Sequence, residues 1–321
     1  MVSNHRHLVV IARVLLPAGL NPLRDRFEVR EGGLEASRER ILELVPGARA
    51  LVADPSVPVD RELLAACGED LRVVANFAVG YDNVDLEACH ELGVVVTNTP
   101  DVLTEATAEL ALALTLAAAR RMSDAERDLR AGRWRGWDPA EYLGLEIGRS
   151  IVGIIGLGRI GQRYARLARG LGAEIVYSGP TAKPEAETEL GARRLPLDEL
   201  LEASDVVSLH APASPETRGL IGAAEVERIG PGGVLVNTSR GSLVDSEAVA
   251  AALQAGRLGA AGLDVYDGEP NVPQSLLEAP RCVLLPHIGS ATVASRDGMA
   301  RAVADNVIAV LEGGEPPSRV V

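Results

Sequence analysis

The most informative part of this sequence is the stretch Ile151-Val-Gly-Ile-Ile-Gly156-Leu-Gly158-Arg-Ile-Gly161. A β-branched apolar run meets three glycines spaced G-x-G-x-x-G, and a helical pattern follows, an order typical of dinucleotide-binding sites. We expect Gly156 to permit the tight turn, Gly158 to let a pyrophosphate approach, and Gly161 to let the helix pack on its strand. The helix N-terminus would attract the phosphates. A purely structural strand–helix turn is the alternative.

The bulk composition is that of a soluble globular protein with room for two cores. The chain has 321 residues, 47% of them hydrophobic, and a formal net charge of -13. This acidic balance argues against a nucleic-acid or anionic-membrane surface, and the apolar run at 8–11 is too short to span a membrane. The three cysteines lack zinc-like spacing, so we expect buried reduced thiols, a cytoplasmic protein and no metal.

Short apolar runs alternate with helical patterns along the chain, which predicts parallel sheets covered by helices. In the first part, strands are predicted at 8–14, 50–53, 72–75 and 94–97, and helices at 34–44, 63–66, 86–92 and 104–121. After Gly161, further strands are predicted at 173–177 and in the runs that end near His210, Asn237, Asp264 and Pro286, and a long helix at 291–311. Polar residues after such strands predict a site, because the carboxyl ends of parallel strands share one edge.

The tip of the strand at 173–177 bears on the choice of cofactor. An NAD-specific protein normally carries Asp or Glu here to bond the ribose 2′-hydroxyl. The tip reads Ser178-Gly179-Pro180-Thr181-Ala182-Lys183, with no carboxylate, and Lys183 is the only lysine of the chain. This favours NADP(H) over NAD(H), with Ser178, Thr181 and Lys183 as candidate partners of a 2′-phosphate. A permissive turn with a solvated lysine is the alternative.

The segment Arg133-Trp134-Arg135-Gly136-Trp137 holds both tryptophans of a chain with 3% aromatic residues. Its Gly- and Pro-bounded surroundings predict exposure in the isolated chain. Exposed tryptophans usually contact a partner subunit or a ligand. Anchoring under a loop is the alternative.

Together these motifs resemble the D-isomer-specific 2-hydroxyacid dehydrogenases, nearly end to end and in order. The resemblance lies in 74–84 (VANFAVGYDNV), 98–104 (NTPDVLT), 154–161 (IIGLGRIG), 237–241 (NTSRG), 262–266 (GLDVY), 269–270 (EP) and 286–290 (PHIGS). Within the family the chain is most similar to the glyoxylate/hydroxypyruvate reductases. The resemblance therefore implies an enzyme that reduces a small 2-keto acid to the D-2-hydroxy acid.

The family's catalytic residues map onto Arg240, Glu269 and His287. Histidine can give a proton to the carbonyl oxygen because it exchanges a proton near neutral pH. Glu269 would hydrogen-bond the imidazole and favour its charged form. Arg240 would bind the substrate carboxylate and polarise the carbonyl with its planar fork.

The resemblance implies further contacts. Val79 and Gly80 would offer backbone N–H groups to the substrate carboxylate, and Trp137 would reach the substrate pocket of the other subunit of a homodimer. Cofactor contacts are expected from Thr107, Gly156, Leu157, Gly158, Arg159, Ile160, Gly161, Ser178, Gly179, Pro180, Thr181, Lys183, His210, Ala211, Pro212, Thr217, Thr238, Ser239, Arg240, Asp264, His287 and Gly289.

The resemblance also implies two Rossmann-like or flavodoxin-like α/β domains with parallel sheets. A dinucleotide-binding domain at 99–287 would be inserted into a discontinuous substrate domain, 1–98 plus 288–321, and closure of the cleft between them would expel water. Two alternatives stay open. One is another substrate of the family (phosphoglycerate, D-lactate or phosphite), and the other is a non-enzymatic dinucleotide-sensing protein.

Overall fold

The computed structural model of the chain describes residues 6–321, and these fall into two compact units. One unit combines the chain up to Leu103 with Ser290–Val321, and the other is Thr104–Gly289. These limits lie five residues (103 − 98 = 5) and two residues (289 − 287 = 2) beyond the predicted ones. The division into units does not by itself test which unit binds the substrate and which binds the cofactor.

The first unit begins with alternating strands and helices. In chain order they are β1 (Leu8–Ile11), α1 (Pro17–Arg26), β2 (Glu28–Glu31), α2 (Arg38–Leu44), β3 (Ala50–Ala53), α3 (Arg61–Cys67), β4 (Val73–Asn76), α4 (Leu86–Glu91) and β5 (Val95–Thr97). The strands pair in parallel in the order β2-β1-β3-β4-β5. This is the flavodoxin-like order, in which ligands bind at the carboxyl ends of the strands.

The second unit holds the dinucleotide motif. Its elements are α5 (Thr104–Ala119), α6 (Met122–Arg130), β6 (Ile151–Ile155), α7 (Arg159–Gly170), β7 (Glu174–Ser178), α8 (Pro184–Leu190), β8 (Arg193–Arg194), α9 (Leu197–Ala203), β9 (Val206–Leu209), α10 (Ala223–Ile229), β10 (Val234–Asn237), α11 (Ser246–Gln254), β11 (Ala260–Leu263), α12 (Gln274–Leu277) and β12 (Cys282–Leu284). All paired strands are parallel, in the order β12-β11-β10-β9-β6-β7-β8.

The strand order of the second unit confirms a Rossmann-like fold. Read from β6, the sheet contains the doubly wound 3-2-1-4-5-6 arrangement and adds one strand, β12, at its far edge. The direction of winding reverses between β6 and β9, which are neighbours in the sheet. Such a reversal opens a crevice at the carboxyl ends, and the glycine turn after β6 lies there.

The chain returns to the first unit with α13 (Val293–Leu311). The Thr292 side chain caps this helix by accepting the Ser295 N–H at 3.1 Å. Helix α13 packs on α1, and a methyl group at Gly19 would overlap the Ala300 carbonyl. The glycine therefore allows the two helix backbones to approach closely.

Two helix ends and two strands are among the details that differ from the sequence-based predictions. The helix predicted from Leu34 begins at Arg38, because Ser37 caps it by accepting the Arg40 N–H at 3.3 Å. The helix predicted at 104–121 ends at Ala119. Strands β2 and β8 were not predicted, since β2 alternates exposed and half-buried residues and β8 has only two residues.

No helix among residues 6–321 is long and apolar enough to cross a bilayer.

Candidate active site

The glycine turn after β6 has the geometry that a dinucleotide site requires. Gly156 has φ +94°, a left-handed conformation that favours glycine, and its N–H donates to the Ser178 carbonyl at 2.9 Å. A methyl group on Gly161 would overlap the Gly156 carbonyl oxygen, so this glycine lets α7 lie close to β6. Gly158 is the N-cap residue of α7 and has no side chain to cap the helix. The first N–H groups of α7 are therefore left for a ligand.

Two observations show that a nicotinamide dinucleotide fits this edge of the sheet. A methyl group on Gly158 would meet nothing in the described structure within 4 Å beyond its chain neighbours, so the space above the turn is open. Thr238, which follows β10, is 8% exposed, and its hydroxyl has no hydrogen-bond partner among residues 6–321. A buried hydroxyl without a partner costs free energy until a ligand supplies one.

His210 follows β9, directly beside the glycine turn. A methyl group on Gly156 would lie 2.7 Å from the His210 carbonyl carbon and from the Ala211 nitrogen. The His210 ring packs on Tyr164 with centroids 5.0 Å apart, and its Nε2 lies 2.9 Å from the Ser208 hydroxyl. Burial lowers the pKa of His210 to about 3, so the imidazole is neutral at physiological pH. At that pH a neutral His210 packs against Tyr164 and has no ring proton of an imidazolium to give.

The tip of β7 lies next to the same turn. Ser178 is the last residue of the strand, and the Lys183 N–H donates to the Tyr177 hydroxyl at 2.8 Å. This bond folds residues 179–183 back over the end of the strand. Thr181 is exposed and Lys183 half-buried. The predicted adenosine-side residues are thus close together along one loop.

Arg194, on β8, is a residue of this region that the sequence reading missed. Strand β8 pairs with β7 so that Arg194 lies opposite Tyr177. Its guanidinium donates to the carbonyls of Gly179 at 2.8 Å and Pro180 at 3.0 Å. The second cation of the loop comes from a neighbouring strand, which no local motif would reveal.

Arg240, Glu269 and His287 all belong to the second unit. Arg240 follows β10, Glu269 follows β11, and His287 follows β12. These three strands are adjacent and parallel, so the three loops leave the sheet at one edge. The structure therefore brings together the residues that the resemblance selects.

His287 and Glu269 are joined by a direct hydrogen bond. The His287 Nδ1–H donates to Glu269 Oε2 at 2.7 Å, and Glu269 Oε1 accepts the Tyr266 N–H at 2.9 Å. Burial alone would raise the pKa of Glu269, but these two bonds and the charge of Arg240 outweigh it and lower the pKa. The carboxylate thus stays ionised and leaves Nε2 of His287 as the ring nitrogen that can carry a proton to a ligand.

Asp264 holds His287 in an unusual backbone conformation. His287 has φ +54°, which is uncommon for a residue other than glycine. Asp264 is fully buried, and its carboxylate accepts the N–H groups of Ile288 and Gly289, both at 2.8 Å. The His287 N–H donates to the Asp264 carbonyl at 2.8 Å. Burial raises the pKa of Asp264, although the bonds from Ile288 and Gly289 counteract it.

The loop that carries Arg240 is fixed at both ends. The Asn237 side chain donates to the Arg240 carbonyl at 2.8 Å and accepts the Ser239 N–H at 2.9 Å. The Ser239 hydroxyl donates to the Ala211 carbonyl. A methyl group on Gly241 would overlap the backbone of Tyr266 and Asp267, so this glycine lets the Arg240 loop lie against the loop of Glu269.

The remaining predicted residues have varied surroundings. The Thr107 hydroxyl donates to the Gly289 carbonyl at 3.2 Å. Thr217 closes the loop after β9, because its hydroxyl donates to the Pro212 carbonyl and accepts the Ser214 N–H, both at 2.8 Å. Trp137 is 85% exposed and the segment around it has no long helix or strand. Val79 and Gly80 follow β4 in the first unit. No cluster of three metal-binding side chains occurs in the described part of the chain.

A glycine turn and a histidine bonded to a carboxylate, at the same edge of a Rossmann-like sheet, are typical of a dinucleotide-dependent oxidoreductase. Comparisons with known proteins agree. Residues 112–289 match the family model of the D-isomer specific 2-hydroxyacid dehydrogenase NAD binding domain. A glyoxylate reductase of Thermococcus onnurineus is 46% identical over 318 residues, which cover 97% of this chain and 95% of that protein.

Solved structures of dehydrogenases and reductases are also similar to this chain along nearly its whole length. One is an NADPH-dependent glyoxylate/hydroxypyruvate reductase from Sinorhizobium meliloti in complex with NADP and malonate. It is 37% identical with a TM-score of 0.88, covering 98% of this chain and 97% of that one. A D-lactate dehydrogenase from Aquifex aeolicus complexed with NAD and lactic acid is 25% identical with a TM-score of 0.88, covering 98% and 99%.

The chain belongs to the D-isomer-specific 2-hydroxyacid dehydrogenase family. It is an NAD(P)-dependent oxidoreductase, and the non-enzymatic alternative is set aside.

The two glycines of the turn should respond differently to a methyl group. Gly158→Ala should leave the thermal midpoint within about 2 °C, because the methyl group enters open space. It should weaken NADPH binding about tenfold or more, because that space would hold the pyrophosphate. Isothermal titration and thermal unfolding measure the two effects.

Gly161→Ala is the matched comparison, since its methyl group would overlap the Gly156 carbonyl oxygen. This variant should lower the unfolding midpoint by several degrees. Normal NADPH affinity in Gly158→Ala would remove the turn from the cofactor site.

Proposed function

We propose that this enzyme reduces glyoxylate and hydroxypyruvate to the corresponding 2-hydroxy acids, with NADPH as the preferred reductant. The observation that carries the proposal is the His287–Glu269 pair, joined at 2.7 Å beside the Arg240 loop. The relatives named glyoxylate reductase support the substrate class.

His287 is the proton donor in this proposal. The reduced nicotinamide, when bound, supplies a hydride to the carbonyl carbon of the keto acid. His287 gives the proton on Nε2 to the carbonyl oxygen as negative charge develops there. Glu269 fixes the ring through Nδ1 and stabilises the imidazolium before the proton leaves. Tyr266 holds the carboxylate through its N–H, so neither partner must reorient during the reaction.

Arg240 is the substrate-binding cation. Its planar guanidinium can meet two oxygens of a 2-keto acid at once, which fixes the carbonyl relative to the proton donor. Arg240 also donates through Nη1 to the Ser239 carbonyl at 2.8 Å, which limits its rotamers. We further propose that the Val79 and Gly80 N–H groups bind the substrate carboxylate.

The activity is tested with a panel of 2-keto acids and a variant of the proton donor. The parent enzyme should reduce glyoxylate and hydroxypyruvate with a kcat/KM at least about tenfold above that for pyruvate, the precursor of D-lactate. His287→Gln should reduce kcat by about 10³-fold or more, since proton transfer is lost. Its Kd for NADPH should stay within twofold. Loss of nicotinamide absorbance measures turnover.

Glu269→Gln is a milder variant of the same pair, because the amide oxygen can still accept the hydrogen bond from His287 but carries no charge. Its kcat should fall about 10- to 100-fold, and the decline of kcat/KM at alkaline pH should begin at lower pH. An active His287→Gln enzyme would exclude this proton donor. Faster turnover of D-lactate, phosphoglycerate or phosphite would assign the site to one of those substrates.

The preference for NADPH rests on the loop after β7. The loop carries no carboxylate that would repel a 2′-phosphate, and Ser178, Thr181 and Lys183 supply two hydroxyls and a cation. Arg194 adds a second cation, because its guanidinium lies against Gly179 and Pro180. One cation within this loop, a second beside it and no acid within it favour the phosphorylated cofactor.

NADPH should exceed NADH in kcat/KM by at least about tenfold in a side-by-side comparison with glyoxylate. Arg194→Ala should raise KM for NADPH about five- to tenfold and leave KM for NADH within twofold, because only the phosphate is lost as a partner. Arg193→Ala is the control, since Arg193 pairs with Glu174 at 2.8 Å. A parent preference for NADH would contradict the proposal.

We also propose a cytoplasmic homodimer. Cys67, Cys89 and Cys282 are all free and buried, which suits a reducing compartment. Helix α6 buries none of its residues, and Leu129 on it is 59% exposed. Trp134 and Trp137, in the segment that follows, are 56% and 85% exposed. Such a concentration of exposed apolar side chains favours burial against a second copy.

Leu129→Arg should convert a dimer to a monomer, because a charge would have to be buried at the interface. Leu92→Arg is the control, as Leu92 is 57% exposed in the first unit. Sedimentation equilibrium measures the mass of both variants. A monomeric parent, or a dimer in which Leu129→Arg changes nothing, would refute this interface.

A further inference from the structure

The loop that follows β4 has three consecutive carbonyl groups that accept hydrogen bonds from one side. The Ala78 carbonyl accepts the Thr99 N–H, the Val79 carbonyl accepts the Asn98 side-chain amide, and the Gly80 carbonyl accepts the Asn76 side-chain amide. All three distances are 2.8 Å. The donors come from the ends of β4 and β5, which are adjacent parallel strands.

Because the peptide bond is planar, these hydrogen bonds to the carbonyls also fix the direction of the N–H groups in the same peptides. In a trans peptide, the N–H points opposite to the carbonyl of the preceding residue. The carbonyls of Ala78 and Val79 face Thr99 and Asn98, so the N–H groups of Val79 and Gly80 point away from these donors. Two neighbouring N–H groups pointing the same way form a binding site for an anion.

A second asparagine fixes the orientation of Asn76. Asn76 is fully buried, and its side chain exchanges hydrogen bonds with that of Asn83 at 3.0 and 3.1 Å. The Asn83 amide also donates to the Asp54 and Val57 carbonyls, each at 3.0 Å. A flipped Asn76 amide would set its oxygen against the Gly80 carbonyl and lose the bond to Gly80 and both bonds to Asn83. The amide nitrogen of Asn76 is therefore held toward Gly80.

Asn98 is fixed through its backbone. Its carbonyl accepts the Ser318 hydroxyl at 2.7 Å and the Asn306 amide at 3.3 Å. Among residues 6–321, the structure gives the Asn98 side chain one hydrogen-bond partner, the Val79 carbonyl.

We propose that Asn98 is a positioning residue that, together with the Thr99 N–H, holds the Gly80 and Val79 N–H groups toward the carboxylate of the 2-keto acid. Asn76 supports them by fixing the next peptide group of the same loop through the Gly80 carbonyl. The inference rests on the proposed function, because it concerns the substrate-binding role given there to Val79 and Gly80. Asparagine suits the task because its amide donates to a carbonyl without adding charge beside a bound anion. An acid at either position would repel both the carbonyl and the substrate.

The test measures binding of oxamate, an unreactive analogue of a 2-keto acid, to the enzyme saturated with NADPH. Asn98→Ala should raise the Kd for oxamate about five- to tenfold, the effect of losing one neutral hydrogen bond that orders the loop. The Kd for NADPH should stay within twofold. Hydrogen exchange of the peptide spanning 77–83 should accelerate. Isothermal titration and mass spectrometry give these values.

Two further variants separate positioning from general stability. Asn98→Leu keeps the side-chain bulk and removes the donor, so it should raise the oxamate Kd by the same factor as Asn98→Ala. It replaces the alanine variant in the test if that variant is unstable. Ser318→Ala removes one of the two donors to the Asn98 carbonyl. The Asn306 amide, the Asn98 N–H bond to the Ser318 carbonyl and the Asn98 side-chain bond to Val79 all remain, so the oxamate Kd should stay within twofold. An unchanged oxamate Kd in folded Asn98→Ala or Asn98→Leu overturns the proposal.

The outcomes distinguish this proposal from the proposed function. If the parent binds oxamate but reduces neither glyoxylate nor hydroxypyruvate, the substrate assignment fails, and the variant comparison still decides the role of Asn98. If the parent binds no oxamate, the anion-binding role of the loop is overturned.

Discussion

The common direction of the strands in the second unit is the constraint on which its site depends. Because all paired strands from β6 to β12 are parallel, every loop at their carboxyl ends leaves the sheet on the same side. The glycine turn, the Ser178 loop, His210 and the loops of Arg240, Glu269 and His287 therefore share one edge, although they span more than a hundred residues of sequence. An antiparallel strand in the middle of this sheet would send one of them to the opposite edge.

Close backbone packing then sets the distances along that edge. Gly161 brings α7 onto β6, and Gly241 brings the Arg240 loop onto the loop of Glu269. The strained conformation of His287 is held by the buried carboxylate of Asp264, which accepts two N–H groups that follow it. The His287–Glu269 pair is thus supported by a buried acid that contacts the backbone rather than the imidazole. Loss of that acid would free His287 to relax while leaving the side chains of Arg240, Glu269 and His287 present.

Much of this arrangement could be predicted because its signals are local. The buried strands are short β-branched or alanine-rich runs, and the glycines of the turn are spaced as the pyrophosphate requires. What could not be predicted depends on tertiary contacts. Strand β2 presents Glu28 and Arg30 to solvent at the sheet edge and lacks a continuous apolar run. The helix was predicted from Leu34 on its apolar spacing alone, and this spacing does not reveal the Ser37 cap at which the helix begins. The grouping of Arg240, Glu269 and His287 came from the family resemblance, since spacing alone would also suit surface ion pairs.

Two loops, one in each unit, show why side-chain identity within a motif is an incomplete guide to anion binding. Val79 and Gly80 carry no charge, and their expected role depends on Asn98 and Asn76, whose side-chain amides donate to the Val79 and Gly80 carbonyls. Residues 179–183 carry one lysine, yet Arg194 from the adjacent strand lies across their carbonyls. In both places a donor on the protein side engages the carbonyl oxygens, which would otherwise repel an anion. The electrostatic character of each loop is therefore decided by residues outside it, and those are the residues that a motif search omits.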